Sequence, residues 1–199
     1  MDKPAANIDG CFDAHRRLEQ VATTLVPSQL GEDSALDGWT RGHVLAHLVL
    51  NAEAMTRRIE AALQGELIEQ YAGGADGRSA AIDELSHLAL QHLLPRVSGS
   101  ARKLDATFNL IPMHARSLPV RTVSGATHPI ALLPFRRWRE VEVHLGDLDV
   151  GVGPTAWSNE FVNLVLRRLI ARMADRADPR DLAAWLIGRA KPPELTPWV

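Results

Sequence analysis

Two short polar patterns in the sequence have the residue types and the spacing of metal ligands. The segment GHVLAHLVLN places His43, His47 and Asn51 at steps of four residues, and WREVEVHLGD places Glu140 and His144 at the same step. On an α-helix this step puts side chains one turn apart on one face. One of these histidines with Glu140 and His144 makes a two-histidine, one-carboxylate set. Such a set leaves coordination positions open and is typical of a catalytic metal site.

The spacing leaves alternatives open. It does not separate His43 from His47 as the third ligand. A single histidine beside an apolar helix face is usually a hydrogen-bonded structural residue, and a glutamate four residues before a histidine is common on exposed helices. A plain helical interaction module without metal chemistry therefore fits the same pattern.

Composition and charge narrow the partners and the location. The chain has 199 residues, of which 46% are hydrophobic and 23% charged, and its net charge is −2. Nucleic acids and anionic membranes are bound by concentrated basic surfaces, so we expect neither as a partner. The N-terminal segment lacks the apolar run of a secretory signal, and no stretch reaches the roughly 20 apolar residues that span a bilayer. The expected location is the cytoplasm, and the oligomeric state is open.

Cys11 is the only cysteine. One cysteine cannot form an internal disulfide, and thiolate-rich zinc sites need at least two. A metal would therefore be held by histidine and carboxylate, and we expect Cys11 to be a small apolar residue of the first helix.

The elements that must position the candidate ligands are predicted to be helices. Apolar residues recur at three- and four-residue steps in four long stretches, and they predict helices over about residues 8–25, 40–63, 79–108 and 134–148. Thr40 is a suitable N-cap for the second helix, and Gly65 is suited to end it. Pro95 is expected to kink or divide the third helix.

The remaining segments are predicted to be less regular. Residues 111–134 contain several prolines and glycines and predict a long excursion with a small hairpin. Helical patterns follow at about 156–175 and 182–189, before an extended tail. The predicted fold is mainly α, an up-down four-helix bundle over residues 1–153 with a short helical C-terminal extension over residues 154–199.

The stretches GWTRGHVLAHLVLNAEAM and FRRWREVEVHLGDLDVG resemble the mycothiol-dependent maleylpyruvate isomerase family, within the DinB-like superfamily, in order, spacing and flanking residues. The resemblance covers about residues 5–153, and DLAAWLIGRAKPPELTPW is also similar to the C-terminal end of that family. It implies that His47, Glu140 and His144 are the metal ligands, with His43 as a neighbour. Zinc is the metal that it implies.

The resemblance also implies an activity. The family isomerises maleylpyruvate to fumarylpyruvate in gentisate degradation, with mycothiol as cofactor. Zinc favours the thiolate of a bound thiol, and the thiolate adds to the cis double bond, permits rotation and leaves the trans isomer. Arginine forks suit a dicarboxylate substrate, and the resemblance implies this catalytic role for Arg78 and Arg189. Of Arg136, Arg137 and Arg139 we expect at least one to be a surface charge.

One departure concerns the C-terminal region. Family members carry a longer region with strands, whereas here RMADRADP runs directly into RDLAAWLIGR. The sequence therefore predicts a shortened region over residues 154–199. Two alternative functions use the same candidate metal ligands. One is a mycothiol S-transferase acting on electrophiles, and the other is a non-catalytic metal-binding interaction bundle.

Overall fold

Helices make up most of the computed structural model, which describes the backbone of residues 4–196 and the side chains of residues 7–196. The chain divides into two compact units, Met1–Ala156 and Trp157–Val199. The first unit contains α1 (Pro4–Thr23), α2 (Arg41–Leu63), α3 (Gly74–Ser86), α4 (Leu90–Leu110), β1 (Pro119–Arg121), β2 (Thr127–Pro129) and α5 (Leu133–Asp147). The second unit contains α6 (Asn159–Ala171) and α7 (Pro179–Leu186). The predicted mainly α fold class is confirmed.

The four-helix bundle consists of α1, α2, α4 and α5. Both α1 and α2 pack against α4 and α5, whereas α3 packs on α2 outside this ring. Glu53 pairs with Arg96 at 2.8 Å and Glu60 with Lys103 at 3.5 Å, so the contacts advance by seven residues along both α2 and α4. These two bundle helices therefore run parallel, because α3 carries the chain back between them.

An apolar core fills the bundle. Its fully buried side chains come from all four helices: Cys11, Ala14, Val44, Leu45, Leu48, Leu93, Leu104, Val141 and Leu145. Cys11 is 0% exposed. Because burial of apolar surface is the main favourable term in folding, this core fixes the helices that carry the candidate ligands.

Helix α2 begins and ends as the sequence predicts. Thr40 is its N-cap, and Gly65 follows its C-cap with a φ of +83°. This left-handed conformation closes the last turn at little cost only for glycine.

The predicted third helix is two helices, and its division does not fall at Pro95. Pro95 lies inside α4, whereas α3 ends at Ser86 and α4 begins at Leu90. A Cβ on Gly42 would lie 2.8 Å from the carbonyl oxygen of Ser86, so the end of α3 packs directly on the backbone of α2. The break is therefore set by a tertiary contact rather than by the proline.

The excursion between α4 and α5 contains the predicted hairpin. Strands β1 and β2 pair antiparallel with Val120 opposite His128.

In the second unit, the guanidinium of Arg176 donates to the carbonyl oxygen of Thr196, and the N–H of Thr196 donates to the carbonyl oxygen of Arg176. Within the described residues, no helix has the length and apolar character needed to cross a membrane.

Candidate metal centre

Three predicted ligands converge where α2 packs on α5. His47 comes from α2, and Glu140 and His144 come from successive turns of α5. Nε2 of His47 lies 3.2 Å from Oε2 of Glu140, and Nε2 of His144 lies 3.6 Å from the same oxygen. One ligand atom from each residue lies within 4.8 Å of the other two. This spacing suits three donors around one ion, since zinc takes nitrogen and oxygen ligands at roughly 2.0–2.2 Å.

A second carboxylate orients His144. Oδ2 of Asp147 accepts a hydrogen bond from Nδ1 of His144 at 2.7 Å, so Nε2 of His144 is the ring nitrogen that faces Glu140. A carboxylate on the outer nitrogen of a ligating histidine is a regular feature of zinc sites, because it fixes the tautomer and raises the basicity of the ligand. Asp147 is part of the phrase WREVEVHLGD, but its role in orienting His144 follows only from this contact.

The end of α5 that carries Asp147 is fixed by the start of α2. Arg41 donates through Nε to the carbonyl of Leu148 at 2.7 Å and through Nη2 to the carbonyl of Asp149 at 3.0 Å. Arginine at a helix C-terminus satisfies carbonyls that lack a partner within the helix. Arg41 and His47 share α2, so this contact ties both sides of the candidate centre together.

Arg78 reaches the candidate centre from α3. Its Nη2 lies 3.1 Å from Nδ1 of His47, and its Cζ lies 6.0 Å from the ring centroids of both Trp39 and Tyr71. Because arginine can only donate, Nδ1 of His47 accepts, and in this tautomer Nε2 carries the proton that meets Glu140. A metal held by Nε2 would require the ring proton on Nδ1, and Arg78 would then lose its acceptor.

Burial and neighbouring charges set the protonation of the three residues. Burial lowers the pKa of His47 to about 4, so this ring is neutral near pH 7. For Glu140, burial opposes ionisation, but hydrogen bonds from His144 and His47 outweigh it and hold its pKa well below the usual range. Burial also acts against the charged form of His144, yet hydrogen bonds to Asp147 and Glu140 raise its pKa overall. The set thus combines an ionised carboxylate, a neutral imidazole and one imidazole that tends to keep its proton.

His43, the other histidine left open by the spacing, faces a different direction. Its Nδ1 lies 2.8 Å from the hydroxyl of Thr40, and its Nε2 lies 3.5 Å from Oδ1 of Asp83 and 3.3 Å from the hydroxyl of Ser86. Both ring nitrogens are engaged with residues at the start of α2 and the end of α3. His43 therefore acts as a local structural residue.

A second group, Cys11, His15 and Asp105, also has ligand atoms within 4.8 Å of one another. Nδ1 of His15 lies 2.7 Å from Asp105, and Nε2 of His15 accepts from Nε of Arg137 at 2.9 Å. Burial raises the pKa of Cys11, so its thiol stays protonated. A histidine with both nitrogens occupied, a neutral thiol and a buried guanidinium make a poor metal site.

Arg137 instead joins the four helices of the bundle. Besides its bond to His15, its Nη1 donates to the carbonyl of Leu48 and to Oδ1 of Asn51, each at 2.9 Å. With Asp105 these contacts connect α1, α2, α4 and α5. Arg137 is only 1% exposed, whereas Arg136 and Arg139 are half-buried. Arg137 is therefore not a surface charge, and for Arg136 and Arg139 the expectation stays a prediction.

The residues present fit a zinc ion on the chemistry of their donors. Two imidazole nitrogens and one carboxylate oxygen converge, one imidazole is supported by Asp147, and the described chain brings no fourth histidine or carboxylate into this group.

Arg189, the remaining predicted site residue, follows α7 in the second unit, where its backbone N–H donates to the carbonyl oxygen of Ala184 at 2.7 Å. Its catalytic role remains a prediction.

Sequence reasoning missed three residues near the candidate centre. The aromatic side chains of Trp39 and Tyr71 flank Arg78, and Arg137 lies one turn of α5 before Glu140. Trp39 and Tyr71 lie outside the helices, so no apolar periodicity marks them. Arg137 lies between other arginines in the sequence, and nothing in this run distinguishes it from a surface residue. The one hint for Trp39 was its position in the GWT phrase, where it directly precedes Thr40, the N-cap of α2.

Comparisons with known proteins agree with this architecture. Residues 11–149 match the model of the mycothiol maleylpyruvate isomerase N-terminal domain. A crystal structure of the mycothiol-dependent maleylpyruvate isomerase superposes with a TM-score of 0.84 at 20% identity, covering 99% of this chain and 98% of that chain. A crystal structure of a mutant of the mycothiol-dependent maleylpyruvate isomerase superposes with a TM-score of 0.80 at 22% identity, covering 87% and 72%. No curated protein sequence matches. The family match spans well over half of the sequence, and the chain belongs to the mycothiol maleylpyruvate isomerase family.

Proposed function

We propose that this protein is a zinc- and mycothiol-dependent isomerase that converts maleylpyruvate to fumarylpyruvate. The observation that carries the proposal is the convergence of His47, Glu140 and His144 within 4.8 Å, with Asp147 bonded to His144. This donor set occurs in a chain whose family takes its name from that reaction.

The proposal assigns a task to each side chain. His47, Glu140 and His144 hold the metal, and Asp147 keeps the proton of His144 on Nδ1 so that Nε2 is free to coordinate. When bound, zinc would favour the thiolate of mycothiol, the nucleophile whose reversible addition to the cis double bond would allow the rotation to the trans isomer. Because the thiol returns unchanged, the residues of this chain need to bind and orient rather than to transfer atoms.

Arg78 orients the substrate. Its guanidinium lies 3.1 Å from Nδ1 of His47 and next to Trp39, so it is positioned beside the metal ligands and carries the charge that a carboxylate needs. The Trp39 and Tyr71 rings flank this guanidinium, and their apolar surface would limit the water around it. Arg189 is proposed as the second arginine for the dicarboxylate.

Metal content and turnover test the proposal together. We expect the purified protein to hold one zinc per chain and to isomerise maleylpyruvate with mycothiol, and we expect His47→Ala to lose both while circular dichroism shows an intact bundle. His92→Ala is the matched control, because His92 is exposed on α4. His43→Ala addresses the other histidine of the spacing pattern and should keep its zinc.

The outcomes separate the alternatives. Zinc without isomerisation, combined with consumption of mycothiol by electrophiles, would replace the isomerase with a mycothiol S-transferase. Zinc with neither reaction would favour a non-catalytic metal-binding bundle. Absence of zinc from protein prepared in its presence would overturn the metal assignment.

A further inference from the structure

The only tyrosine of the chain has an unexplained hydroxyl. Tyr71 is 5% exposed, and among the described residues its hydroxyl is buried without a hydrogen-bond partner. Buried polar groups are almost always paired, and one that is not calls for a specific reason. A phenylalanine at this position would fill the same space without that penalty, so the hydroxyl points to a ligand.

Tyr71 lies beside the candidate metal centre. The guanidinium of Arg78 has its Cζ 6.0 Å from the Tyr71 ring centroid, while Nη2 of the same group contacts His47 at 3.1 Å. The phenol is therefore separated from a metal ligand by one side chain. That side chain loses its present acceptor when the proton of His47 moves to Nδ1.

The short connection between Tyr71 and Arg78 is tightly constrained. Gly73 and Gly74 have φ values of +74° and +65°, which favour glycine. A Cβ on Gly77 would lie 1.9 Å from the carbonyl oxygen of Ala72, which no other residue could accommodate without a backbone shift. The connection thus fixes the backbone positions from which the Tyr71 and Arg78 side chains extend.

The surroundings of the phenol carry positive charge. Arg58 is 3% exposed and interacts electrostatically with Tyr71, and among the described residues it donates to the carbonyl oxygens of Ala54 and Arg121. Arg137 also interacts with the Tyr71 phenol. Within the described part of the chain, none of Arg58, Arg78 and Arg137 forms an ion pair with a carboxylate. Burial lowers the pKa of Arg58 to about 10, so it stays charged at neutral pH.

We propose that the hydroxyl of Tyr71 and the guanidinium of Arg78 form a carboxylate-binding subsite next to His47. The phenol donates one hydrogen bond, the guanidinium donates others from its planar fork, and Arg58 and Arg137 supply the background potential. Binding includes a shift of Arg78 from His47 towards the anion, which opens access to the buried hydroxyl. The subsite rests on the proposed function, since it takes one carboxylate of the dianionic substrate.

A single tyrosine allows a direct test. In the zinc-loaded protein with ¹³Cζ-labelled tyrosine, Tyr71 gives one resonance, and titration with maleate should shift it to saturation. Maleamide has the same cis double bond but no charge, and it should leave the resonance in place. No shift with maleate at any concentration would overturn the subsite, whether or not the protein isomerises maleylpyruvate.

The variant Tyr71→Phe supplies the second measurement. By calorimetry we expect maleate affinity to fall about tenfold, which is typical for the loss of one hydrogen bond to a charged group. Zinc content should be unchanged, and thermal stability unchanged or higher because an unpaired hydroxyl is removed. With maleylpyruvate, KM should rise while kcat changes less.

The two proposals fail in different ways. Unchanged maleate affinity and unchanged KM in Tyr71→Phe would overturn the subsite and leave the isomerase in place. Tyr71-dependent maleate binding in a protein that does not isomerise maleylpyruvate would support the subsite and overturn the isomerase. Loss of both zinc and stability in Tyr71→Phe would show a purely structural tyrosine and also overturn the subsite.

Discussion

Nη2 of Arg78 donates to Nδ1 of His47 at 3.1 Å, and this contact selects the tautomer of His47 whose Nε2–H faces Glu140. A metal on Nε2 requires the opposite tautomer. Arg78 therefore stabilises the metal-free form of the proposed ligand set, although it is also the residue proposed to orient the substrate.

Removal of this contact should tighten metal binding. We expect Arg78→Met to raise zinc affinity about three- to tenfold, because one hydrogen bond that favours the metal-free form is lost and a nearby cation is removed. Competition with a chromophoric chelator measures the affinity. Arg57→Met, an exposed arginine of α2, is the control and should change nothing. Equal or weaker zinc binding in Arg78→Met would contradict the tautomer argument.

Neutralising Asp147 should weaken zinc binding. Asp147→Asn keeps an acceptor for Nδ1 of His144 but removes its charge, and we expect a loss of about 10- to 100-fold in affinity. Asp149→Asn changes the charge two residues later at an exposed position, and its affinity should stay at the native value. If both variants bind zinc alike, Asp147 does not support the metal ligand.

Zinc binding should depend on pH through His144. Its pKa is raised, whereas those of His47 and Glu140 are lowered, so His144 is the ligand that holds its proton longest as pH rises. Affinity should therefore fall as pH falls through the pKa of His144, and binding at neutral pH should release protons. Calorimetry in buffers of different ionisation enthalpy measures that release. In Asp147→Asn the dependence should move to lower pH, because the partner that raises this pKa is neutral.

Arg137 should be critical for stability. Arg137→Met leaves His15, Asn51 and the carbonyl of Leu48 without their donor in the core, and we expect a loss of about 3 kcal/mol or more in the free energy of unfolding. Urea denaturation followed by circular dichroism gives the value. The comparison is Arg102→Met, whose exposed pair with Glu19 should contribute less than about 1 kcal/mol. Similar losses in the two variants would exclude a structural role for the buried network.

Two helical glycines make a matched pair. A Cβ on Gly77 would lie 1.9 Å from the carbonyl oxygen of Ala72, whereas a Cβ on Gly99 in α4 meets nothing within 4 Å. Gly77→Ala should displace the start of α3 and lower turnover at least tenfold, since small shifts of positioning groups are costly. Gly99→Ala should raise stability by up to about 1 kcal/mol with turnover unchanged. Steady-state kinetics and thermal denaturation measure both, and equal turnover would show that the connection tolerates a side chain.

The sequence predicted those features that depend on the geometry of a single helix. Glu140 and His144 share a helix face because they are four residues apart, and α2 was predicted from its apolar stripe and its terminal residues. The same local reasoning failed at α3. Glycine is a poor helix former, so the helix start at Gly74 depends on packing that no local pattern encodes.

Contacts between helices were beyond local reasoning. The orientation of His43 away from Glu140 depends on where the end of α3 meets α2. The buried role of Arg137 was not visible in the sequence because its acceptors come from two other helices, α1 and α2. Tyr71 is separated by 24 residues from His47 in the sequence, and its place beside Arg78 becomes visible only once α3 has packed on α2.

Cys11 has a consequence for redox chemistry. A protein that works with a low-molecular-weight thiol also meets the disulfide of that thiol under oxidising conditions. Exchange with that disulfide requires an accessible thiolate. The sole thiol of this chain is fully buried, and burial raises its pKa. Cys11 is therefore a poor site for a mixed disulfide, and oxidation of the thiol pool would act on the proposed cofactor rather than on this cysteine.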